Sequence, residues 1–254
     1  MQWLSSPDPS TNFNRAREKC HPGTGSWVFE HPAFLDWQEG NRKFLWLHGI
    51  PGCGKTILSS IIINHLRSNQ IDATFPTLMF FFDFTDASKQ SVASLVRSLT
   101  AQLYRLFQPC QDELNSLYSI CGNGSSTAST DSLTETFLSM LHSASKVSIV
   151  IDALDECQTR QDLVRWIRDV CTSAPQKLYI IATSRRELQL ESGIQSWASE
   201  DCFIPLEKAS VDPDINHFVR ARLHARDHGF QRWHSRPSVL QEIEASLTHK
   251  AAGM

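Results

Sequence analysis

At 254 residues the chain is long enough to bury a full core, as one large domain or one and a half. Its 24 basic and 27 acidic residues leave a formal charge of −3, which excludes a chain-wide affinity for nucleic acid or for an anionic membrane surface and makes any anion site local. Seven cysteines, scattered without C-x-x-C pairs or metal-ligand spacing, read as reduced thiols; no stretch has the length of a signal peptide or membrane span, so the expectation is a cytoplasmic protein with neither nucleic acid nor membrane as partner.

Residues 1–40, rich in Pro, Ser, Gly and Trp, predict an irregular lead with one short helix around AFLDWQEG. The apolar run KFLWLHG then predicts a strand, and KTILSSIIINHLRSN a helix. A second strand–helix unit follows in TLMFFFDFTD and SVASLVRSLTAQLYRLF, with Val92, Leu95, Val96, Leu99, Leu103 and Leu106 on one stripe. CGNGSSTASTD reads as a mobile loop and LTETFLSMLHSA as a helix. KVSIVIDALDEC predicts a strand covered on both faces, RQDLVRWIRDVCTSA a helix, KLYIIATSRRE a fourth strand and DCFIPL a fifth. From Asp212 onward the pattern is helical. The reading is α/β: a parallel sheet with helices on both faces and a small helical appendage, divided into a lead (1–40), a nucleotide domain (41–208) and the start of a helical domain (209–254).

Between the first strand and its helix, Gly49, Gly54, Lys55 and Thr56 satisfy G-x-x-x-x-G-K-[ST], with Ile50, Pro51, Gly52, Cys53 and Ile57 completing the stretch. A triphosphate needs several converging backbone N–H groups, which side chains would block, at the positive end of a helix. Lys55 then reaches the β and γ phosphates, and the Thr56 hydroxyl is placed for Mg²⁺. Cys53 is small enough to need no further role.

IVIDALDEC supplies a carboxylate, Asp152, at the C-terminal end of a buried strand, where it can hold Mg²⁺ through its water shell. Asp155 and Glu156 follow within reach of a water attacking the γ phosphate, with Asp155 chosen as activator and Glu156 as its support. In IIATSRRE, Thr183, Ser184 and Arg185 are expected to follow a buried strand onto the same sheet edge, where the Arg185 guanidinium binds the γ phosphate. The run from His217 to Arg236, including Arg220, Arg226, His228, Arg232 and His234, covers several helix faces and reads as solvated; Trp3, Trp27 and Trp37 read as packing residues.

WLHGIPGCGKTILSS, IVIDALDEC and IIATSRRE together resemble the NACHT family of signal-transduction NTPases, particularly the fungal type that precedes ankyrin or WD repeats, and the likeness runs from GTGSWVFEHPAFLDW to LTHKAAGM. The resemblance implies a P-loop sheet with the IIATS strand between the phosphate-loop strand and the acidic one. It implies Mg²⁺ with ATP or GTP as the bound species, slow hydrolysis, and a switch resting with diphosphate and set by triphosphate. It also implies that Thr24 and Gly25 lie near the base or ribose, that Gly253 approaches the nucleotide from the helical side, and that the full-length protein self-associates or meets protein partners. The chain stops at Met254, before any winged-helix, sensor or effector region, so autoinhibition and wheel-like assembly are not expected of it alone. The alternatives are a phosphoryl transferase acting on a small molecule and a nucleotide-binding module without turnover.

Overall fold

The computed structural model describes residues 2–69, 75–143, 146–173, 178–206, 208–224 and 236–251. The regular elements are α1 (Ser10–Lys19), α2 (Pro32–Glu39), β1 (Phe44–His48), α3 (Lys55–Ser68), β2 (Thr77–Phe81), α4 (Val92–Leu106), α5 (Gln111–Ile120), α6 (Thr130–Ser143), β3 (Val147–Asp152), α7 (Arg160–Ser173), β4 (Leu178–Ser184), α8 (Leu188–Gln195), β5 (Phe203–Pro205), α9 (Lys208–His224) and α10 (Pro237–Ala251). The strands form one parallel sheet in the order β2-β3-β4-β1-β5. The fold is the expected α/β P-loop NTPase sheet, and β4 lies between the phosphate-loop strand β1 and the acidic strand β3, as the family resemblance implies.

The strands are buried on both faces because their side chains alternate between two cores. Phe44, Trp46, Leu78, Phe80, Ile149, Ile151 and Ile180 face a core completed by α4, α5, α6, α7 and α8. Leu45, Leu47, Met79, Phe81, Val150 and Ile181 face one completed by α1, α2 and α3, through Phe13, Phe34, Trp37, Leu58 and Ile62. Each fully buried large apolar side chain contributes roughly 1.5–3 kcal/mol, so both faces hold the sheet against its helices.

The lead holds two helices rather than one. α1 begins where Asp8 accepts the Ser10 amide at 2.9 Å and the Ser10 hydroxyl at 2.8 Å, and it packs on α3. α2 starts at Pro32, with Nδ1 of His31 accepting the Ala33 amide. α5 and α8 are further helices beyond those the apolar spacing predicts. The glycine-serine segment after α5 folds into turns in which the Ser125 and Ser126 amides donate back to the Gly122 and Cys121 carbonyls, next to Tyr118, which packs against Trp3 with ring centroids 5.4 Å apart. Every cysteine among the described residues is free. Among the described residues no helix is long and apolar enough to cross a membrane.

Candidate functional site

The phosphate loop leaves β1 after His48 and enters α3 at Lys55. Gly52 and Gly54 hold φ of 82° and 89°, a left-handed conformation that side chains disfavour, and Gly54 caps α3 with no side chain on its first amides. Those N–H groups stay available to an anion at the positive helix end. Gly49 is small for a different reason: a Cβ there would lie 2.8 Å from Sγ of Cys53 and 2.9 Å from Cβ of Leu206. Gly49→Ala is therefore expected to lower the unfolding free energy by about 1–3 kcal/mol in a urea titration; an unchanged midpoint would show that the loop yields freely. Nζ of Lys55 curls back and donates to the carbonyls of Gly49 and Ile50, both at 2.8 Å. Pro51 and Ile57 line the cleft beside it.

Asp152 ends β3 and is 2% exposed. Three hydroxyls converge on it: Thr56 donates to Oδ2 at 2.8 Å, and Ser59 and Thr183 donate to Oδ1 at 2.7 and 2.5 Å. Burial pushes its pKa up, and the three hydroxyls and the Lys55 charge oppose that. Thr56 and Ser59 lie one turn apart on α3, so a single helix face presents both donors. Thr183 and Ser184 complete β4 and are fully buried instead of emerging beyond it.

After Asp152 the chain turns sharply, with Ala153 left-handed at φ 59° and its amide donating to Oγ1 of Thr183. The turn brings Asp155 back beneath the end of β4. Asp155, 5% exposed, accepts the Arg185 backbone amide on Oδ1 at 2.9 Å, and its Oδ2 lies 3.2 Å from Nε of Arg185. Both oxygens of Asp155 are thus engaged by one residue. Glu156 accepts the Phe84 amide on Oε2 at 2.9 Å, while its Oε1 takes no hydrogen bond among the described residues. Burial chiefly, helped by the carboxylates of Asp155, Asp83 and Asp152, pushes the Glu156 pKa up, against the Phe84 amide.

These groups share a cleft of about 430 Å³ whose far wall is α1, through Asn12, Arg15, Ala16 and Lys19. A second, more apolar cavity of about 310 Å³ adjoins it across Gly52, Gly54 and Ile57. Thr24, Gly25, Trp27, Cys53, Leu58 and Phe218 line it, so Trp27 borders a cavity, unlike Trp37 in the core. The Thr24 hydroxyl donates to the His21 carbonyl at 2.7 Å, and the Gly25 amide to Oδ2 of Asp214 at 2.7 Å. Gly253 and the basic positions Arg226, His228, Arg232 and His234 lie outside the described residues. Arg220 pairs with Glu244.

Sequence reading missed Ser59, and it placed no part of α1 at the site. Thr56 and Ser59 are spaced for one helix face, which was a usable signal. α1 offered none, since nothing in its sequence marks the cleft.

The sequence model of the family described as nephrocystin 3, N-terminal, matches residues 23–185. The chain is 29% identical over 208 residues to vegetative incompatibility protein HET-E-1 of Podospora anserina, across 78% of this chain and 15% of that protein. It spans that small share of its curated relative's length. Among solved structures it is similar to the Aeropyrum pernix ORC1 protein in complex with DNA, at 13% identity and a TM-score of 0.43, over 98% of this chain and 61% of that one. The family match runs from the turn holding Thr24 and Gly25 through the phosphate loop and the acidic strand to Arg185, well over half of the residues, and the chain therefore belongs to the nephrocystin 3 N-terminal family, within the NACHT-type NTPases.

Proposed function

We propose that the chain binds ATP or GTP as the Mg²⁺ complex and hydrolyses it slowly, as the switch module of a longer signalling protein. Residues 41–208 form the nucleotide module in this reading, with 1–40 packed on it and 209–254 opening a helical domain. The observation that carries it is the 2.8 Å hydrogen bond from Thr56 to Asp152, which joins the phosphate loop to the acidic strand.

The donor set fits Mg²⁺. A buried carboxylate and a hydroxyl are hard oxygen ligands, and a cation beside Asp152 would favour the ionised form that burial disfavours. When bound, the ion neutralises charge on the phosphate oxygens.

The protein's own groups do the rest. Lys55 exchanges two neutral carbonyl acceptors for anionic oxygens. Arg185, 47% exposed, offers the rest of its guanidinium to the terminal phosphate while Asp155 fixes its base. The water-orienting role passes in this proposal from Asp155 to Glu156. Asp155 is engaged on both oxygens by Arg185, whereas Glu156 is held on one oxygen, open on the other, and raised in pKa by burial toward the range useful to a general base. Lys55 has internal partners to give up on binding, whereas Arg185 keeps Asp155.

The test is phosphate release from Mg-ATP and Mg-GTP, with and without small hydroxyl acceptors. Inorganic phosphate formed at a rate indifferent to acceptor is expected; transfer to the acceptor would make the chain a phosphoryl transferase, and binding without release would make it a holder of nucleotide. A second readout is alkylation of Cys53, which should slow in the presence of Mg-nucleotide because Cys53 lines the adjoining cavity. Equal labelling rates would remove the loop from the nucleotide site.

A further inference from the structure

Helix α1 lies outside the stretch matched by the family model, which starts at residue 23, yet it walls the larger cleft. Asn12, Arg15, Ala16 and Lys19 recur at i, i+3, i+4 and i+7, so one face of the helix looks onto the phosphate loop. The other side carries Phe13, buried beneath the guanidinium groups of Arg17 and Arg67 at 5.6 and 5.3 Å from its ring centre. Ala16 is 3% exposed and small, which lets the helix lie close.

The helix is held in register by a buried lysine. Lys89, 5% exposed, donates to Oγ1 of Thr11 at 2.9 Å and Oδ1 of Asn12 at 2.6 Å, and Nδ2 of Asn12 donates to Asp83 at 2.9 Å. A buried ammonium is costly unless fully partnered, and this one is partnered by the first turn of α1 together with Asp86, whose Oδ2 lies 3.5 Å away. The next residue after Asp83, Phe84, holds Glu156 through its amide.

Charge balance says what the wall is for. Apart from α1, and before any cation binds, the cleft lining carries the carboxylates of Asp152, Asp155 and Glu156 against the cations of Lys55 and Arg185, a balance of one net negative charge. Arg15 and Lys19 reverse the sign. Lys55 is occupied by carbonyls and Arg185 by Asp155, but neither Arg15 nor Lys19 has an ion pair or hydrogen bond among the described residues. Lys19 borders both cavities, at the junction where a polyphosphate would pass from one to the other.

We propose that Arg15 and Lys19 bind the polyphosphate of the nucleotide, making α1 the outer wall of the phosphate site. The inference rests on the nucleotide reading above and adds a binding element outside the family's matched region.

The test is calorimetric titration of the full chain with Mg-ATP and, separately, with inorganic tripolyphosphate. Arg15→Ala and Lys19→Ala are each expected to weaken both ligands about five- to twentyfold, the scale of one charge-assisted hydrogen bond, and the double variant about a hundredfold. Arg15→Lys should stay within about threefold of the native chain, and Arg17→Ala, on the same helix but facing Phe13, should leave affinity unchanged. Thermal midpoints of the Arg15 and Lys19 variants should match the native value, since both side chains are exposed. A double variant that binds within twofold of the native chain, where Lys55→Ala binds neither ligand, overturns the role of α1 and leaves the nucleotide reading standing. Uptake of tripolyphosphate but not of Mg-ATP by the native chain overturns the nucleotide reading, and the α1 variants are then scored on tripolyphosphate. Uptake of neither overturns both.

Discussion

Lys55→Ala is expected to abolish measurable nucleotide binding, weakening Mg-ATP at least about a hundredfold, while the protein stays folded. The Lys55 ammonium rests on two carbonyls of the exposed loop, so its removal strands acceptors that water can satisfy, at a cost of about 1 kcal/mol or less. Bound polyphosphate has no such substitute: losing a cation that bridges anionic oxygens at a helix start is worth about 3 kcal/mol, which is the hundredfold. Titration calorimetry beside a thermal melt separates the two. Affinity within threefold of the native chain would mean that the ammonium keeps its carbonyl partners and never meets a phosphate.

Glu156→Gln is expected to keep nucleotide affinity within a few-fold and to lower phosphate release by about a hundredfold or more, the usual contribution of a positioned general base. The amide still accepts the Phe84 N–H but has no basic oxygen to offer a water. Asp155→Asn should act differently. It keeps an acceptor for the Arg185 amide but ends the ion pair at 3.2 Å, so stability should fall by about 1–2 kcal/mol and turnover by less than in Glu156→Gln. The two acids are separated by the ranking of their variants in a single-turnover assay. If Asp155→Asn proves the slower enzyme with its fold intact, the activating role returns to Asp155.

Those two acids show how far the sequence could be read. The loop spelling announced an anion site because glycine and lysine-threonine at that spacing have few other uses, and the apolar strands announced a sheet covered on both faces. Which acid is free could not be read. That depends on the left-handed turn at Ala153, which swings Asp155 under the backbone of Arg185, a contact across 30 residues of chain. α1 escaped notice for another reason. Phe13 and Ala16 are its buried residues, and the remaining positions are polar, so its periodicity is faint and its place is set by Lys89, far along the chain. α5 differs: its buried anchors, Leu114 and Leu117, are apolar but too few to mark a stripe. Elements that owe their position to distant polar contacts leave little trace in a pattern of apolar spacing.

Thr183 stands on the middle strand, accepting the Ala153 amide and donating to Asp152, two positions before Arg185. The aim of the Asp152 carboxylate is therefore set jointly by helix α3, through Thr56 and Ser59, and by the neighbouring strand, through Thr183. Replacing Thr183 by valine would therefore remove a partner from the Asp152 carboxylate and from the Ala153 amide at once, disturbing the acidic strand end through a residue that carries no charge.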